Sequence, residues 1–125
     1  MQSTRPVGLS LCTSTSGPPC VVALSGTLDA HSQVEAERFF QSLVATGATR
    51  VVLDCSQLDF ISSAGIRAFI LLIKLVRPIG GAVSICAAKP HVRQMLEFTG
   101  LQTLLALSDS VEQGCAALAQ ERSPN

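Results

Sequence analysis

At the start of the chain, apolar and polar residues alternate with the period of two that marks a half-buried strand. Val7, Leu9 and Leu11 interleave with Gly8, Ser10 and Cys12. A turn at Ser16-Gly17-Pro18-Pro19 follows, and Cys20 to Gly26 (CVVALSG) reads as a second strand folded back on the first. Ser32-Gln33-Val34-Glu35 has the form of a capping box, which predicts a helix to about Ala45 closed by Gly47. Arg50-Val51-Val52-Leu53-Asp54 centres on a continuous apolar run, the composition of a strand covered on both faces. A polar loop flanked by Asp54 and Asp59 follows, then a helix from about Ser63 to Arg77, stopped by Pro78 and Gly80. Ala82 to Ala87 reads as a buried strand. Pro90 takes the first position of a further helix, which Gly100 closes. Leu104 to Leu107 is a last short strand. Ser110-x-x-Gln113 caps a terminal helix whose inner stripe is Val111, Cys115 and Leu118.

This order, ββαβαβαβα, predicts an α/β fold: a mostly parallel mixed β-sheet with an N-terminal hairpin and about four helices packed against it. The whole chain, residues 1–125, reads as one domain with an ordered core of about residues 6–120. Its first five residues and Glu121 to Asn125 read as loose ends, and no linker, internal repeat or low-complexity tract interrupts it.

The helix from Ser63 carries the candidate chemistry. At about 100° per residue, Ser63, Arg67, Ile70, Lys74 and Arg77 fall on one stripe, and every charged residue of the segment lies on it. Ala64, Ala68, Leu71 and Leu75 flank it on one side, and Ile66, Phe69 and Ile73 on the other. The stripe is the expected solvent face, with Ile70 exposed between cations and Ser63 at its head. Ser62 lies about a quarter turn away. Ser63 is therefore the expected exposed hydroxyl and Ser62 the better helix cap, with Ser62 kept as the alternative exposed one. A phosphate on Ser63 would bring about −1.5 to −2 charges to the positive end of the helix, where Arg67 could reach it. An apolar centre with a basic rim suits an acidic partner. The same residues also fit an ordinary cap followed by a solvated charged face.

Composition narrows the functions available. The chain is 47% apolar but 4% aromatic, without Trp or Tyr, so its core is expected to be aliphatic. Nine basic and nine acidic residues cancel, leaving no global field for nucleic acid or a membrane surface. Cys12, Cys20, Cys55, Cys86 and Cys115 form an odd set without a CxxC pair or a His at metal-ligand spacing. That argues against a disulfide framework or a zinc site and suits free thiols in a reducing compartment. The N-terminus lacks the layout of a signal peptide, and the longest apolar run, Ala68 to Ile73, ends at Lys74, far short of the about 20 residues a spanning helix needs. The expectation is a soluble cytoplasmic domain.

Enzyme readings find little support. No GxxxxGK[ST] or GxGxxG phosphate loop is present, and no GxSxG elbow supports an assembly of Ser63, His31 and Asp29 or Asp59. Asp54 and Asp59 fit loop hydrogen bonding better than paired-carboxylate catalysis.

From about Val7 to Ala119 the chain resembles the STAS domain family, specifically its anti-sigma factor antagonist type. The residues that carry this are Leu24-Ser25-Gly26-Thr27-Leu28-Asp29, Asp54-Cys55-Ser56 through Ile66-Arg67, Gly80-Gly81 and Phe98-Thr99-Gly100-Leu101. The resemblance implies a bacterial phosphoprotein, with the phosphoacceptor on Ser63 ahead of Ala64-Gly65-Ile66. It departs at Ser62, where antagonists often have an acid, and at Thr27, where they often have Glu. Its partner would be an anti-sigma factor that is also a serine kinase of GHKL type. Modification of Ser63 would break the complex, and a phosphoserine phosphatase would restore it. The implied partner surface comprises Asp29, Ser62, Ser63, Ala64, Gly65, Arg67, Ile70 and Lys74, with Asp29 also open to a plain turn role. A weak homodimer is a further partner to consider, with dimerisation through the exposed helix left open. No catalysis, cofactor, direct nucleic-acid contact or membrane insertion is implied. The alternative is an unmodified STAS module serving as a regulatory or structural subunit of a transporter or stress-signalling assembly.

Overall fold

A five-stranded sheet in the order β1-β2-β3-β4-β5 organises the chain. The computed structural model describes residues 8–15 and 19–120. The strands are β1 (Leu9–Thr15), β2 (Cys20–Leu28), β3 (Arg50–Ile61), β4 (Ala82–Cys86) and β5 (Ala106–Ser108). The helices are α1 (Gln33–Ala45), α2 (Ser63–Val76), α3 (Pro90–Phe98) and α4 (Val111–Gln120). β1 runs antiparallel to β2, and the three pairings from β2 to β5 are parallel. Parallel neighbours need a crossover, and α1, α2 and α3 supply one each. The expected mixed sheet, hairpin and four helices are therefore present. Val7 and Ser16, Gly17 and Pro18 of the expected turn lie outside the described residues, as do residues 1–6 and 121–125.

Strand alternation divides the interior into two unequal layers. Val22, Leu24, Val51, Leu53, Cys55, Val83 and Ile85 turn one way and pack with residues of α1, α2 and α3. Val21, Val52 and Cys86 turn the other way, against Leu118 of α4. Phe40 and Phe69 are fully buried in the larger layer, their ring centres 6.3 Å apart. Apart from Cys20, Cys55 and Cys86, the other buried residues of the core are aliphatic. Removing either ring would cost about 3–5 kcal/mol.

Four expectations are corrected. β3 does not stop at Asp54 but continues to Ile61, so Asp54 and Asp59 lie on a strand and not beside a loop. In its second half every third residue, Cys55, Leu58 and Ile61, is buried, out of step with simple alternation, and β2 pairs with it through two register irregularities. The Ser32–Glu35 capping box does not form, because the Ser32 hydroxyl donates to the Thr27 carbonyl at 2.8 Å and makes no cap bond to α1. The last strand lies at Ala106–Ser108, not Leu104–Leu107, since a 3-10 turn at Leu101–Thr103 draws the Leu104 N–H to the Leu101 carbonyl. Ile70, expected exposed, is half-buried and packs on the core. By contrast, Ser110 does cap α4, accepting from the Gln113 N–H at 3.1 Å while Gln113 accepts from the Asp109 N–H at 3.0 Å.

Candidate functional site

The carboxyl ends of β2 and β3 finish side by side, Leu28 in register with Ile61. The Ser62 N–H donates to the Leu28 carbonyl at 3.0 Å and closes the pairing. Ser62 is itself extended (φ −101°, ψ 174°), and its hydroxyl accepts from the Gly65 N–H at 3.2 Å. Its carbonyl takes the first helical bond, from the Ile66 N–H at 3.0 Å. Ser62 is thus the N-cap of α2, half-buried and committed to the backbone.

Ser63 is the first helical residue, and it is exposed. Its own N–H and that of Ala64 have no acceptor inside the helix. No acidic residue stands in the first turn to neutralise that positive end. The hydroxyl therefore sits where added negative charge is favoured. Arg67 and Lys74 are exposed on the same stripe, and neither is ion-paired among the described residues. Ala64 and Ile70 are half-buried beside them.

Gly65, expected on the partner-facing surface, is buried. A Cβ there would lie 2.4 Å from the Leu28 carbonyl oxygen. Its place is structural: only glycine lets the first turn of α2 press onto the end of β2. Asp29 follows Leu28 at the same end of the sheet. Its Oδ1 accepts from the His31 N–H at 3.0 Å and the Ser32 N–H at 3.3 Å, while its N–H donates to the Ser32 hydroxyl at 3.0 Å. The side chain therefore shapes the loop into α1. It remains half-buried, with its second oxygen outside these bonds. The structure thus brings Asp29, Ser62 and Ser63 together around Leu28, with Arg67 and Lys74 further along α2.

Two features had no signal in the sequence. Phe60 is exposed just ahead of the serine turn. Lys89 and His91, at the start of α3, both reach back to Asp59 on β3. Their separation along the chain from Asp59 hides the contact.

Elsewhere the chemistry is quiet. All five cysteines are free, with Cys20, Cys55 and Cys86 buried in the core. Burial pushes the Cys86 thiol up to about 12 and that of Cys55 still further. No helix among the described residues is long and apolar enough to cross a membrane.

Comparison with known proteins places this arrangement. The chain is 35% identical over 97 residues to the Bordetella bronchiseptica protein BtrV, which carries the name of an anti-sigma factor antagonist; the match covers 78% of this chain and 84% of that one. The crystal structure of an anti-sigma factor antagonist from Mycobacterium paratuberculosis superposes with a TM-score of 0.84 at 20% identity, covering 94% of this chain and 100% of the other. SpoIIAA, a Bacillus cell fate determinant solved in its phosphorylated form, shares the fold with a TM-score of 0.65 at 19% identity, over 87% of this chain and 97% of its own. A family model for the STAS domain matches residues 12–114, from the exposed edge strand to the first turn of α4, and the chain belongs to that family.

Proposed function

We propose that this chain is an anti-sigma factor antagonist of the cytoplasm, switched by phosphorylation of Ser63. Unmodified, it binds an anti-sigma factor that is also a serine kinase of GHKL type, and so frees the sigma factor. The kinase supplies the ATP chemistry and this chain supplies a hydroxyl. A phosphate of about −1.5 to −2 charges at the head of α2 then repels an acidic docking surface, and a phosphoserine phosphatase resets the system.

The observation that carries this reading is the division of labour between two adjacent serines. The Ser62 hydroxyl is held by the Gly65 N–H, whereas the Ser63 hydroxyl is exposed at an unneutralised helix end. Two likenesses support it. BtrV is named as an antagonist, and the similar SpoIIAA has a phosphorylated form. The docking face would comprise Ser63, Ala64, Arg67, Ile70 and Lys74, with Ser62 and Asp29 shaping its rim.

The test is intact mass of the protein from its native cells, before and after phosphatase, with peptide mapping across Asp59 to Arg67. One phosphatase-sensitive phosphate on Ser63, lost in Ser63→Ala, is the expected result. Equal incorporation in Ser63→Ala would move the acceptor to Ser62. A single unmodified species under growth and stress alike would overturn the switch and leave a permanent STAS subunit of a larger assembly.

A further inference from the structure

β3 outruns its neighbour on one side. Its pairing with β4 ends at Asp54 and Cys86, yet the strand continues through Cys55–Ile61. β2 follows that extension on the other edge, but only across the two register irregularities. Such irregularities disrupt the ladder locally, and beyond Asp54 the segment pairs with β2 and not with β4.

The start of α3 closes the open edge. Ala87, at φ 60°, turns the chain out of β4, an uncommon conformation for a residue with a Cβ, and its N–H is held by the Ser108 carbonyl at 3.0 Å. Lys89 is extended (φ −63°, ψ 154°), as a residue before proline is steered to be, and Pro90 then opens the helix. From there Lys89 Nζ meets Asp59 Oδ1 at 2.6 Å, and His91 Nε2 bonds the Asp59 main-chain carbonyl. A carbonyl only accepts, so that ring nitrogen carries a proton. The His91 ring thus stands where a neighbouring strand's donor would have been, while Lys89, the N-cap of α3, pairs with the Asp59 side chain. Asp59 leads directly into Phe60, Ile61 and the serine pair.

We propose that Lys89 and His91 are positioning residues for Ser63: by pinning the free edge of β3 they hold the serine turn in one orientation toward its kinase. This rests on the reading of Ser63 as a phosphoacceptor. The Lys89 and Asp59 side chains are 37% and 66% exposed. Ion pairs so exposed add little to global stability, so the effect is local orientation and not folding.

The experiment combines Lys89→Met with His91→Leu and reads two quantities. Hydrogen exchange on the purified chain, which needs no partner, should quicken about tenfold at Phe60 to Ser62 while the rest of the sheet keeps its protection. Phosphate transfer to Ser63, in native-cell extract supplied with ATP and increasing amounts of chain, should lose about tenfold in maximal rate with the half-saturating concentration unchanged. The swapped pair Asp59→Lys with Lys89→Asp should recover most of that rate. Exchange quickened throughout the sheet, or an unaltered maximal rate beside local loosening, would overturn the proposal. If the wild-type chain takes up no phosphate, the phosphoacceptor reading fails, and the exchange arm alone decides whether the latch holds the turn.

Discussion

Gly65→Ala tests the junction on which the site is built. The added Cβ would lie 2.4 Å from the Leu28 carbonyl oxygen, 2.8 Å from Leu28 Cγ and 2.9 Å from the Leu28 carbonyl carbon. The first of these is roughly 1 Å inside ordinary contact. The obstructing atom is backbone and also accepts the Ser62 N–H bond, so it cannot swing aside as a side-chain tip would. Overpacking of this kind costs about 3 kcal/mol. A weakened Ser62–Leu28 bond adds about 1 kcal/mol. Replacing glycine by alanine in a helix returns at most about 1 kcal/mol. The net expectation is a loss of about 3 kcal/mol, a fall in Tm of about 12 °C for a chain of this length. Urea denaturation followed by far-ultraviolet circular dichroism measures it, since there is no Trp to report. Gly114→Ala is the control: its Cβ meets Ser84 Oγ at 3.1 Å and Val52 Cγ1 at 3.3 Å, side-chain atoms only, and should shift stability by about 1 kcal/mol or less. A Gly65→Ala chain within about 0.5 kcal/mol of wild type would refute the claim that close backbone approach sets this junction.

Three further expectations concern other parts of the molecule. Ser62→Ala should cost about 1 kcal/mol through loss of the α2 cap while leaving phosphate uptake at Ser63 in place; loss of uptake with unchanged stability would reverse the two serines' roles. Reversing Arg67 and Lys74 together to Glu should slow association with the captured partner, more strongly at low salt, and an unaltered rate would exclude this face from docking. The buried thiols make stability fall in alkali. Above the ordinary thiol value of 9.0 the unfolded chain releases protons that folded Cys86 keeps up to about 12, so each such thiol removes up to about 1.4 kcal/mol per pH unit in that window. Denaturation midpoints at pH 8 and 10.5 should show the decline, less steeply in Cys86→Ala, and a flat profile would contradict it.

Much of this architecture was legible because it rests on local signals. Pro90 and Gly100 bracket α3 as their backbone preferences require, and Ser110 with Gln113 caps α4 by the side-chain bonds their spacing suggests. The failures arose where a distant group competed. Ser32 has the same spacing to an acid as Ser110 has to Gln113, but Asp29 and the Thr27 carbonyl claim its hydrogen bonds first. The second half of β3 looked like a loop because its buried residues, Cys55, Leu58 and Ile61, recur every third position where the pairing with β2 is irregular, which breaks the two-residue period of a strand. Ser63 and Ser62 were told apart by helical geometry alone, and burial agrees: Ser63 is exposed while Ser62 is half-buried. Gly65 gave no such hint, since the carbonyl that excludes a side chain there belongs to Leu28, on another element. Lys89 and His91 were equally silent, for their partner lies thirty residues and more away in sequence.

The clamping of the serine turn also decides what sort of substrate it could be. Ser63 already has helical geometry, and Ser62 is tied to Leu28. An enzyme that grips its acceptor as an extended thread would first have to unwind α2 and forfeit Ile66 and Phe69 from the core. Catalytic machinery acting on the intact chain therefore has to approach the end of a formed helix and recognise a solid surface assembled from β2, β3 and α2. A short synthetic peptide copying Asp59 to Arg67 has the right letters but none of that surface, and is expected to be a poor stand-in for the whole domain.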